Sequence, residues 1–287
     1  MINYLKKKFL NILKINKINQ ENEEIKLILG KLLSDANLNK NPLIIQDIEY
    51  KIFSQWGDDG IIQFIINKLD LDDEYKNFIE FGVENYSESN TRFLLFNNNW
   101  SGLILDSSKK NIEEIKNSNY YWKYDLEAIC SFITKENINS LIADSRISKK
   151  IGLLSIDIDG NDYWILRELL KTIYPEIICV EHNASLGLKS ISTPYKKYFD
   201  RHEEHKSGFY HGASITAFYK LLNPSYCLVK NIAGLNLIFV RKDKMNKNLL
   251  SLTPETCFSE SYYRNKFSGT NTKQQWEVIK NLSYENI

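Results

Sequence analysis

Short apolar runs alternate with helical patterns along most of the chain from residue 77 onward. The runs that predict strands are NFIEFGV at 77–83, GLIL at 102–105, IGLLSIDI at 151–158 and EIICV at 176–180. Between them, apolar side chains recur at helical spacing over 89–96, 109–117 and 163–173. Strand patterns without polar alternation are typical of strands covered on both faces, so this order predicts a doubly wound, mainly parallel α/β sheet.

A pair of adjacent strand patterns closes this region. A helical pattern over 214–222 precedes them, and a turn at Gly234 separates the two strands at 227–231 and 236–241. Because consecutive strands joined by a tight turn pair antiparallel, we expect an antiparallel hairpin at the edge of the sheet. Ligands of doubly wound sheets bind at the carboxyl ends of the parallel strands, so the residues that follow each strand are the candidates for function.

The N-terminal residues have a different pattern. Residues 1–17 and 24–33 each carry an apolar stripe near helical spacing, and lysines fill the remaining positions of the first. We expect these helices to pack on the rest of the protein or on a second subunit, with a membrane surface as the alternative. The side chains expected to be buried are Leu5, Phe9, Leu13, Leu29 and Leu32. The pattern divides the chain into an N-terminal helical extension (1–45), an α/β domain (46–243) and a C-terminal extension (244–287).

Composition and charge exclude several classes of protein. Of 287 residues, 43% are hydrophobic and 25% are charged, which excludes a disordered chain. A formal net charge of +1 gives no electrostatic basis for nucleic-acid binding. No apolar run approaches the ~20 residues of a membrane-spanning helix. The four cysteines form no C-x-x-C pair, so we expect free thiols in a cytoplasmic protein.

One glycine and two acids lie at the ends of the first two predicted strands. Glu80 and Gly82 close the first strand, and Asp106 closes the second. A glycine there lets a ligand approach the turn closely, and a carboxylate at the end of the next strand can accept hydrogen bonds from both hydroxyls of a ribose. The alternatives are a plain strand-to-helix turn at Gly82 and a helix cap at Asp106. The G-x-G-x-x-G pattern that dinucleotide-binding oxidoreductases favour is missing.

The segment SQWGDDG at 54–60 combines glycines with acids ahead of the first strand. This composition suits a loop that closes over a ligand, and a helix cap is the alternative. Gln55 and Asp59 are the candidate contacts within it.

Acidic residues crowd the ends of two further predicted strands. Three acids lie within SIDIDGND at 155–162, and EHN at 181–183 follows the neighbouring strand. So many carboxylates near one sheet edge repel each other unless a cation or hydrogen-bond donors compensate them. Asp157, Glu181 and His182 therefore form a candidate Mg²⁺ or Mn²⁺ site, with helix caps as the alternative.

A candidate proton acceptor lies near the same edge. His211, in FYHGAS, directly precedes the predicted helix over 214–222. A histidine at the ligand edge of a sheet can act as a general base, and Asp159 and Asp162 are the other candidates for this role. A histidine in an ordinary surface loop is the alternative.

Six stretches of the chain, in their order and spacing, carry a family resemblance. They are FSQWGDDGII, NFIEFGVENYSESNTRFLL, LLSIDIDGNDYWIL, ICVEHN, YHGASITAFYKLL and LNLIFVR. Together they resemble the FkbM-like group of bacterial S-adenosylmethionine-dependent methyltransferases, which is often encoded with surface-polysaccharide genes. The resemblance covers residues 46–243. Where the family often has Glu-Tyr-Asn, this chain has Glu181-His182-Asn183, which favours a metal ligand at His182.

The resemblance implies a Rossmann-like sheet of the class I methyltransferase type, with S-adenosylmethionine bound at its carboxyl edge. Glu80 and Gly82 match the methionine-binding first motif, and Asp106 matches the ribose-binding acid. The region around Asp125 lies where the family contacts adenine. The full set of cofactor contacts expected on this basis is Gln55, Asp59, Glu80, Gly82, Asn90, Asp106, Asp125 and Asp157.

The activity implied by the resemblance is methyl transfer from a sulfonium to a sugar hydroxyl. The acceptor expected is a nucleotide-activated sugar or a unit of capsule or lipopolysaccharide. Because the pKa of an alcohol is far above 7, the reaction needs a base or a metal that acidifies the hydroxyl. The alternatives are methyl transfer to a phosphoryl or amine group, and a nucleotide-sugar-binding protein of the same fold without activity. We expect a small-molecule substrate, no nucleic-acid partner and self-association through the N-terminal helices.

Overall fold

The computed structural model describes residues 2–40, 48–69 and 71–287, with the side chains of all of them except 2–16, 19 and 20. The strands are β1 (Asn77–Phe81), β2 (Ser101–Asp106), β3 (Leu126–Cys130), β4 (Leu153–Ile156), β5 (Ile177–Glu181), β6 (Ile191–Ser192), β7 (Tyr226–Ile232), β8 (Asn236–Arg241) and β9 (Glu285–Asn286). The helices are α1 (Ile2–Asn37), α2 (Asp58–Leu69), α3 (Arg92–Asn98), α4 (Lys109–Lys116), α5 (Ile138–Ala143), α6 (Asp162–Leu169), α7 (Arg201–Glu204), α8 (Ile215–Leu222), α9 (Pro254–Cys257), α10 (Tyr262–Ser268) and α11 (Thr272–Ile279).

The main sheet has the strand order β3-β2-β1-β4-β5-β8-β7. Strands β1 to β5 run parallel, β8 pairs antiparallel with β5, and β7 pairs antiparallel with β8. The predicted doubly wound, mainly parallel fold and the antiparallel hairpin at its edge are therefore confirmed. The second strand of the hairpin, β8, lies on the inside next to β5, so β7 is the outer strand.

The hairpin turn explains why these two strands pair. The backbone N–H of Leu235 donates to the carbonyl of Ile232 at 2.9 Å, which closes a four-residue turn. Its two central residues, Ala233 and Gly234, have φ angles of +55° and +68°. Positive φ at both central positions is the feature of a type I′ turn, whose twist matches that of antiparallel strands.

The central strands supply two apolar layers, one on each face of the sheet. Phe78 of β1 and Leu153 of β4 pack in one layer, and their neighbours Ile79 and Leu154 pack in the other. All four side chains are fully buried. Because successive side chains of a strand point to opposite faces, this arrangement confirms that the strands are covered on both sides.

The N-terminal segment forms one continuous helix, α1, rather than the two short helices predicted. Its contact with the rest of the chain includes an ion pair of 3.0 Å between Glu23 Oε1 and Arg92 Nη2. Two turns further along α1, Gly30 lies directly against the ring of Phe93. The helix approaches the body of the protein closely there because glycine has no side chain to hold the two apart.

The opposite face of α1 is apolar and exposed. Leu29 and Leu32 are 52% and 59% exposed, so they do not pack on the described part of the chain, and their packing on a second subunit stays a prediction. They lie away from the face that carries Glu23 and Gly30, which is the face in contact with the body. The other predicted contacts, Leu5, Phe9 and Leu13, lie outside the described side chains. None of the helices in the described part of the chain has the length and hydropathy needed to cross a membrane.

The C-terminal segment packs beside the residues that follow β5. Ser185 Oγ donates to Gln275 Oε1 of α11 at 2.7 Å, and both side chains are buried. Ile279 of α11 is fully buried in an apolar cluster with Leu186. These contacts fix the helix that precedes α11, α10, beside the carboxyl edge of the sheet.

Candidate functional site

A cavity of about 830 Å³ lies at the carboxyl ends of the parallel strands, and we call it the cleft. Most of the residues singled out in the sequence line it: Gln55, Glu80, Gly82, Asn90, Asp106, Asp157, Asp159 and Glu181. The others lie outside its lining: Asp59, Asp125, Asp162, His182 and His211. A cleft of this volume at this edge is of the size and place expected for a small-molecule site.

Gly82 forms the floor of the cleft where β1 ends. Its φ is +75°, a conformation that residues with a side chain rarely adopt. A Cβ at this position would overlap the carbonyl oxygen of Asp157. The glycine therefore allows the ends of β1 and β4 to approach each other closely, and the close approach of a ligand to this turn stays a prediction.

Glu80 organises the loop that rises beside Gly82. Its Oε2 accepts hydrogen bonds of 2.5 Å from the hydroxyls of Ser89 and Thr91, and its Oε1 accepts one of 2.8 Å from the backbone N–H of Asn90. Burial raises the pKa of Glu80. The Asn90 side chain in turn donates to Ser155 Oγ at 3.2 Å, so this loop is fixed to the end of β4.

Asp106 ends β2 and is buried beside the cleft. Its Oδ1 accepts from the backbone N–H of Ser108 and its Oδ2 accepts from that of Glu84, each at 2.8 Å. Every carboxylate oxygen has two lone pairs, so acceptor capacity toward the cleft remains. The helix-cap alternative is wrong for Asp106, because Ser108 caps α4. Asp106 instead holds the turns that follow β1 and β2, which is compatible with binding a ligand.

Asp125 lies at the wrong end of its strand for the predicted contact with adenine. It directly precedes β3, and its side chain is 73% exposed, with Oδ1 4.0 Å from the Arg146 guanidinium. The structure therefore contradicts the assignment of Asp125 to the cofactor site. The residues that follow β3 do line the cleft: Ser131, Phe132 and Ile133.

Asp59 is a structural acid rather than a lining residue. Its buried Oδ2 accepts hydrogen bonds of 2.7–2.8 Å from the backbone N–H groups of Ile52, Phe53 and Ser54 and from the Ser54 hydroxyl. These bonds hold the segment before α2 in a tight arc around the helix N-terminus. Asp59 does not line the cleft, so the structure contradicts the predicted cofactor contact. The helix-cap alternative describes Ser54, whose Oγ accepts from the backbone N–H of Asp59 at 3.1 Å.

The neighbouring acid, Asp58, gives a pH-dependent prediction. Its Oδ1 accepts from Asn236 Nδ2 at 2.8 Å, and burial raises its pKa from 3.8 to about 6. Between pH 3.8 and pH 6, the Asp58 carboxyl is more fully protonated in the folded protein than in the unfolded chain. The stability associated with this proton is therefore present below pH 4 and is lost as the pH rises through 6. Two pKa units correspond to a loss of about 3 kcal/mol.

We expect Asp58→Asn to be more stable than the wild type at pH 7 by about 1–3 kcal/mol and equally stable near pH 4, because the amide carries no charge to desolvate. Urea unfolding at a series of pH values measures this difference. A difference in unfolding free energy that does not change between pH 4 and pH 7 would show that Asp58 is not the titrating group.

Asp162 shapes the turn between β4 and α6. Its Oδ1 accepts from the backbone N–H of Ile158 and its Oδ2 from that of Gly160, both at 2.9 Å. Burial raises its pKa to about 6. Because both oxygens are bonded to the turn and the residue does not line the cleft, the structure contradicts a role as proton acceptor for a substrate.

His182 points away from the acids of the cleft. Its backbone N–H donates to the carbonyl of Leu235, and its ring Nε2 lies 3.2 Å from Asn231 Nδ2 on β7. Burial lowers the pKa of His182 to about 3. Since consecutive residues of an extended chain point to opposite sides, Glu181 and His182 diverge. The predicted metal set of Asp157, Glu181 and His182 is not brought together.

A different group of three converges instead. One ligand atom each from Asp159, Glu181 and His211 lies within 4.8 Å of the other two, and this group is called the acid–histidine cluster. His211 is 1% exposed, and burial lowers its pKa well below the ordinary value. Burial and the neighbouring charge of Asp159 raise the pKa of Glu181 to about 8. Asp157, at the end of β4, lines the cleft beside this group, and its pKa is raised by burial and by Glu181.

Two arginines that the sequence analysis did not single out face these acids. Arg201 Nη1 lies 2.5 Å from Asp159 Oδ1, and Arg264 Nη2 lies 3.6 Å from Glu181 Oε1. Arg264 also donates to Asn183 Oδ1 at 2.7 Å. It comes from α10, in the C-terminal extension, so the cleft is completed by a segment outside the family resemblance.

An aromatic pair connects the two walls of the cleft. Trp56, from the segment before α2, stacks on Tyr263 of α10 with ring centroids 3.7 Å apart and an interplanar angle of 22°. Phe267, one turn further along α10, lines the cleft and is 85% exposed. Stacked and exposed rings of this kind are common platforms for flat or sugar-like ligands.

No known family model matches the chain, and no curated protein is significantly similar to it. Among solved structures, an O-methyltransferase from Bacillus cereus in complex with SAH is 14% identical, covering 76% of this chain and 91% of its own, with a TM-score of 0.40. An S-adenosylmethionine-dependent methyltransferase from Clostridium acetobutylicum is 12% identical, with coverages of 69% and 94% and a TM-score of 0.41. M. capricolum TrmK in complex with SAH is 13% identical, with coverages of 76% and 87% and a TM-score of 0.38.

Proposed function

We propose that this protein is an S-adenosylmethionine-dependent methyltransferase. The observation that carries the proposal is the pair formed by Gly82 and Asp106. They lie at the ends of two adjacent parallel strands, β1 and β2, and both line the same cleft. A close backbone approach next to a carboxylate suits a nucleoside whose ribose hydroxyls donate to the acid. The motif resemblance assigns the same two residues to S-adenosylmethionine.

In this proposal the cofactor lies along the carboxyl ends of β1 to β4. Asp106 accepts from the ribose hydroxyls, and the segment ordered by Glu80 faces the methionine part. The adenine would contact Leu105 of β2 and the residues Phe132 and Ile133 that follow β3, all of which line the cleft. This placement replaces Asp125 with the apolar residues that follow β3.

The reaction proposed is an in-line displacement at the methyl carbon. The acceptor oxygen forms a bond to that carbon while the carbon–sulfur bond breaks and leaves its electron pair on sulfur. The acceptor loses its proton to a group at the sheet edge. Asp157 lines the cleft and is the first candidate, and His211 lies behind the lining in the acid–histidine cluster. The protein's main contribution is to align the three reacting atoms and to exclude water. A divalent ion, Mg²⁺ or Mn²⁺, would supply acidification of the acceptor hydroxyl.

We propose a sugar hydroxyl as the acceptor. The charge of the cleft favours some of the candidate acceptors over others. Among the described residues, its lining contains the acids Glu80, Glu84, Glu88, Asp106, Asp157, Asp159 and Glu181 and, as basic residues, Arg201 and Arg264. An acidic lining repels a free phosphoryl group, so it favours a neutral sugar unit, with an amine acceptor as the second candidate. A nucleotide-activated sugar would need a cation to offset its diphosphate. The stacked rings of Trp56 and Tyr263 suit a sugar face.

Self-association through α1 and a cytoplasmic location stay predictions. The exposed Ile25, Ile28 and Leu32 of α1 give that helix an apolar outer face in the described part of the chain. A second subunit covering it would account for this exposure.

The proposal is tested by calorimetric titration with S-adenosylhomocysteine. We expect the wild type to bind it, and we expect Asp106→Ala to raise the Kd by about 5- to 150-fold, because charge-assisted hydrogen bonds worth about 1–3 kcal/mol are lost. Asp125→Ala is the matched control, since it removes an exposed acid at the opposite end of the sheet and should leave the Kd unchanged. Absence of binding by the folded wild type, or equal affinity of folded Asp106→Ala, would refute the proposed site.

A further inference from the structure

The acid–histidine cluster brings together three side chains from three different parts of the fold. Asp159 lies in the turn after β4, Glu181 ends β5, and His211 precedes α8. One oxygen or nitrogen from each lies within 4.8 Å of the other two. Two carboxylates and an imidazole form a ligand set that suits a divalent transition ion such as Mn²⁺.

His211 supplies the second, independent observation. Its ring is 1% exposed, and its Nε2 has no hydrogen-bond partner among the described residues. Buried polar atoms are nearly always paired, and this unpaired nitrogen belongs to a ring that has one of its two nitrogens near Asp159 and Glu181, so it calls for an explanation.

The two arginines next to the cluster leave room for an ion. Arg201 contacts Oδ1 of Asp159, and Arg264 contacts Oε1 of Glu181. A carboxylate has about four lone-pair positions on its two oxygens, so one contact each does not exhaust either acid. Ligand atoms about 2.1 Å from one ion lie about 3–4 Å apart, so the three side chains need to move inward only slightly.

We infer that Asp159, Glu181 and His211 form a binding site for one divalent transition-metal ion, with Mn²⁺ as its best representative. The site borders the cleft, because Asp159 and Glu181 both line it. Its remaining coordination positions would be filled by water or by the acceptor hydroxyl, which leaves Asp157 as the group that receives the proton. This use of the ion rests on the proposed function, whereas the binding of the ion does not.

The inference is tested by titrating Mn²⁺ into the metal-free full-length protein and following the signal of free Mn²⁺ by electron paramagnetic resonance. We expect one bound ion per chain. We expect Asp159→Asn and His211→Ala each to weaken binding by about tenfold or more, as loss of a metal-site partner does. Asp159→Asn changes an exposed side chain and keeps the test valid if the buried His211 variant fails to fold. His205→Ala, which alters a histidine outside the cluster, is the matched control and should bind Mn²⁺ like the wild type.

Two results would overturn the inference: no Mn²⁺ bound by the folded wild type at millimolar concentration, or binding that folded Asp159→Asn leaves unchanged. Titration of the same samples with S-adenosylhomocysteine separates this inference from the proposed function. Mn²⁺ binding without S-adenosylhomocysteine binding retains the metal site and removes the methyltransferase. The reverse result retains the methyltransferase and removes the metal site.

Discussion

Gly82→Ala is expected to abolish the stable fold, with a loss of about 4 kcal/mol or more in the free energy of unfolding. Two costs combine at this position. The new Cβ would overlap the carbonyl oxygen of Asp157, and an alanine would have to adopt the φ of +75° that Gly82 has. Neither cost can be relieved locally, because the obstacle is backbone of the adjacent strand rather than a flexible side chain. Urea unfolding, or the soluble yield if the variant does not fold, measures the effect.

Gly269→Ala is the matched control. Gly269 has a φ of +66°, and a Cβ there meets nothing within 4 Å. It therefore isolates the conformational cost, which we expect to be about 1–2 kcal/mol. If Gly82→Ala lost no more stability than Gly269→Ala, the close approach of β1 and β4 would not be a constraint on the fold.

Asp59→Ala is expected to lower the free energy of unfolding by about 3–5 kcal/mol. The substitution removes the acceptor of three backbone N–H groups and one hydroxyl, and each donor left unpaired in the interior costs about 1–3 kcal/mol before local relaxation. Chemical denaturation followed by tryptophan fluorescence suits this measurement, because Trp56 lies within the segment that Asp59 holds.

Asp59→Asn separates a structural role from contact with the cofactor. The amide oxygen can still accept hydrogen bonds, so this variant should lose less stability and bind S-adenosylhomocysteine with wild-type affinity. A folded Asp59→Asn protein that no longer binds it would restore the cofactor contact predicted from the sequence. An Asp59→Ala protein as stable as the wild type would contradict the structural role.

The fold was predictable because the apolar patterns of the strands are local and strong. The runs at 77–83 and 151–158 contain β1 and β4, and the runs at 102–105 and 176–180 cover most of β2 and β5. The exception with functional consequences is β3, whose LEAIC pattern is short and partly exposed. No strand is predicted there from the sequence, so nothing in the pattern opposes the placement of Asp125 at the adenine by the family resemblance, although Asp125 precedes β3 at the other end of the sheet.

The site was predictable only as far as strand order determines it. Glu80, Gly82, Asp106, Asp157 and Glu181 reach one cleft because parallel strands end at the same edge. Whether an acid accepts hydrogen bonds from backbone N–H groups depends on the conformation of its loop. No spacing rule predicts that Asp162 accepts such bonds and Asp159 faces the cleft.

The prediction of His182, rather than His211, as the histidine next to the acids is wrong for a similar reason. Which of two adjacent side chains faces the cleft depends on the exact end of β5, and a shift of one residue reverses the answer. The contact between Arg264 and Glu181 is still harder to predict from the sequence, because it depends on the packing of α10. That helix follows Glu181 by about 80 residues.

The position of β8 determines the order in which the molecule can assemble as it is synthesised. Protein chains emerge from the ribosome starting at the N-terminus, and β1 to β5 can pair before β8 exists. Until then β5 is an unprotected edge whose backbone groups are free to pair with another chain. Arg264, which belongs to α10, is synthesised after β8. A nascent chain therefore passes through a stage in which the sheet is largely built but the cleft lacks one wall, and a ligand held by that wall can stabilise only the finished protein.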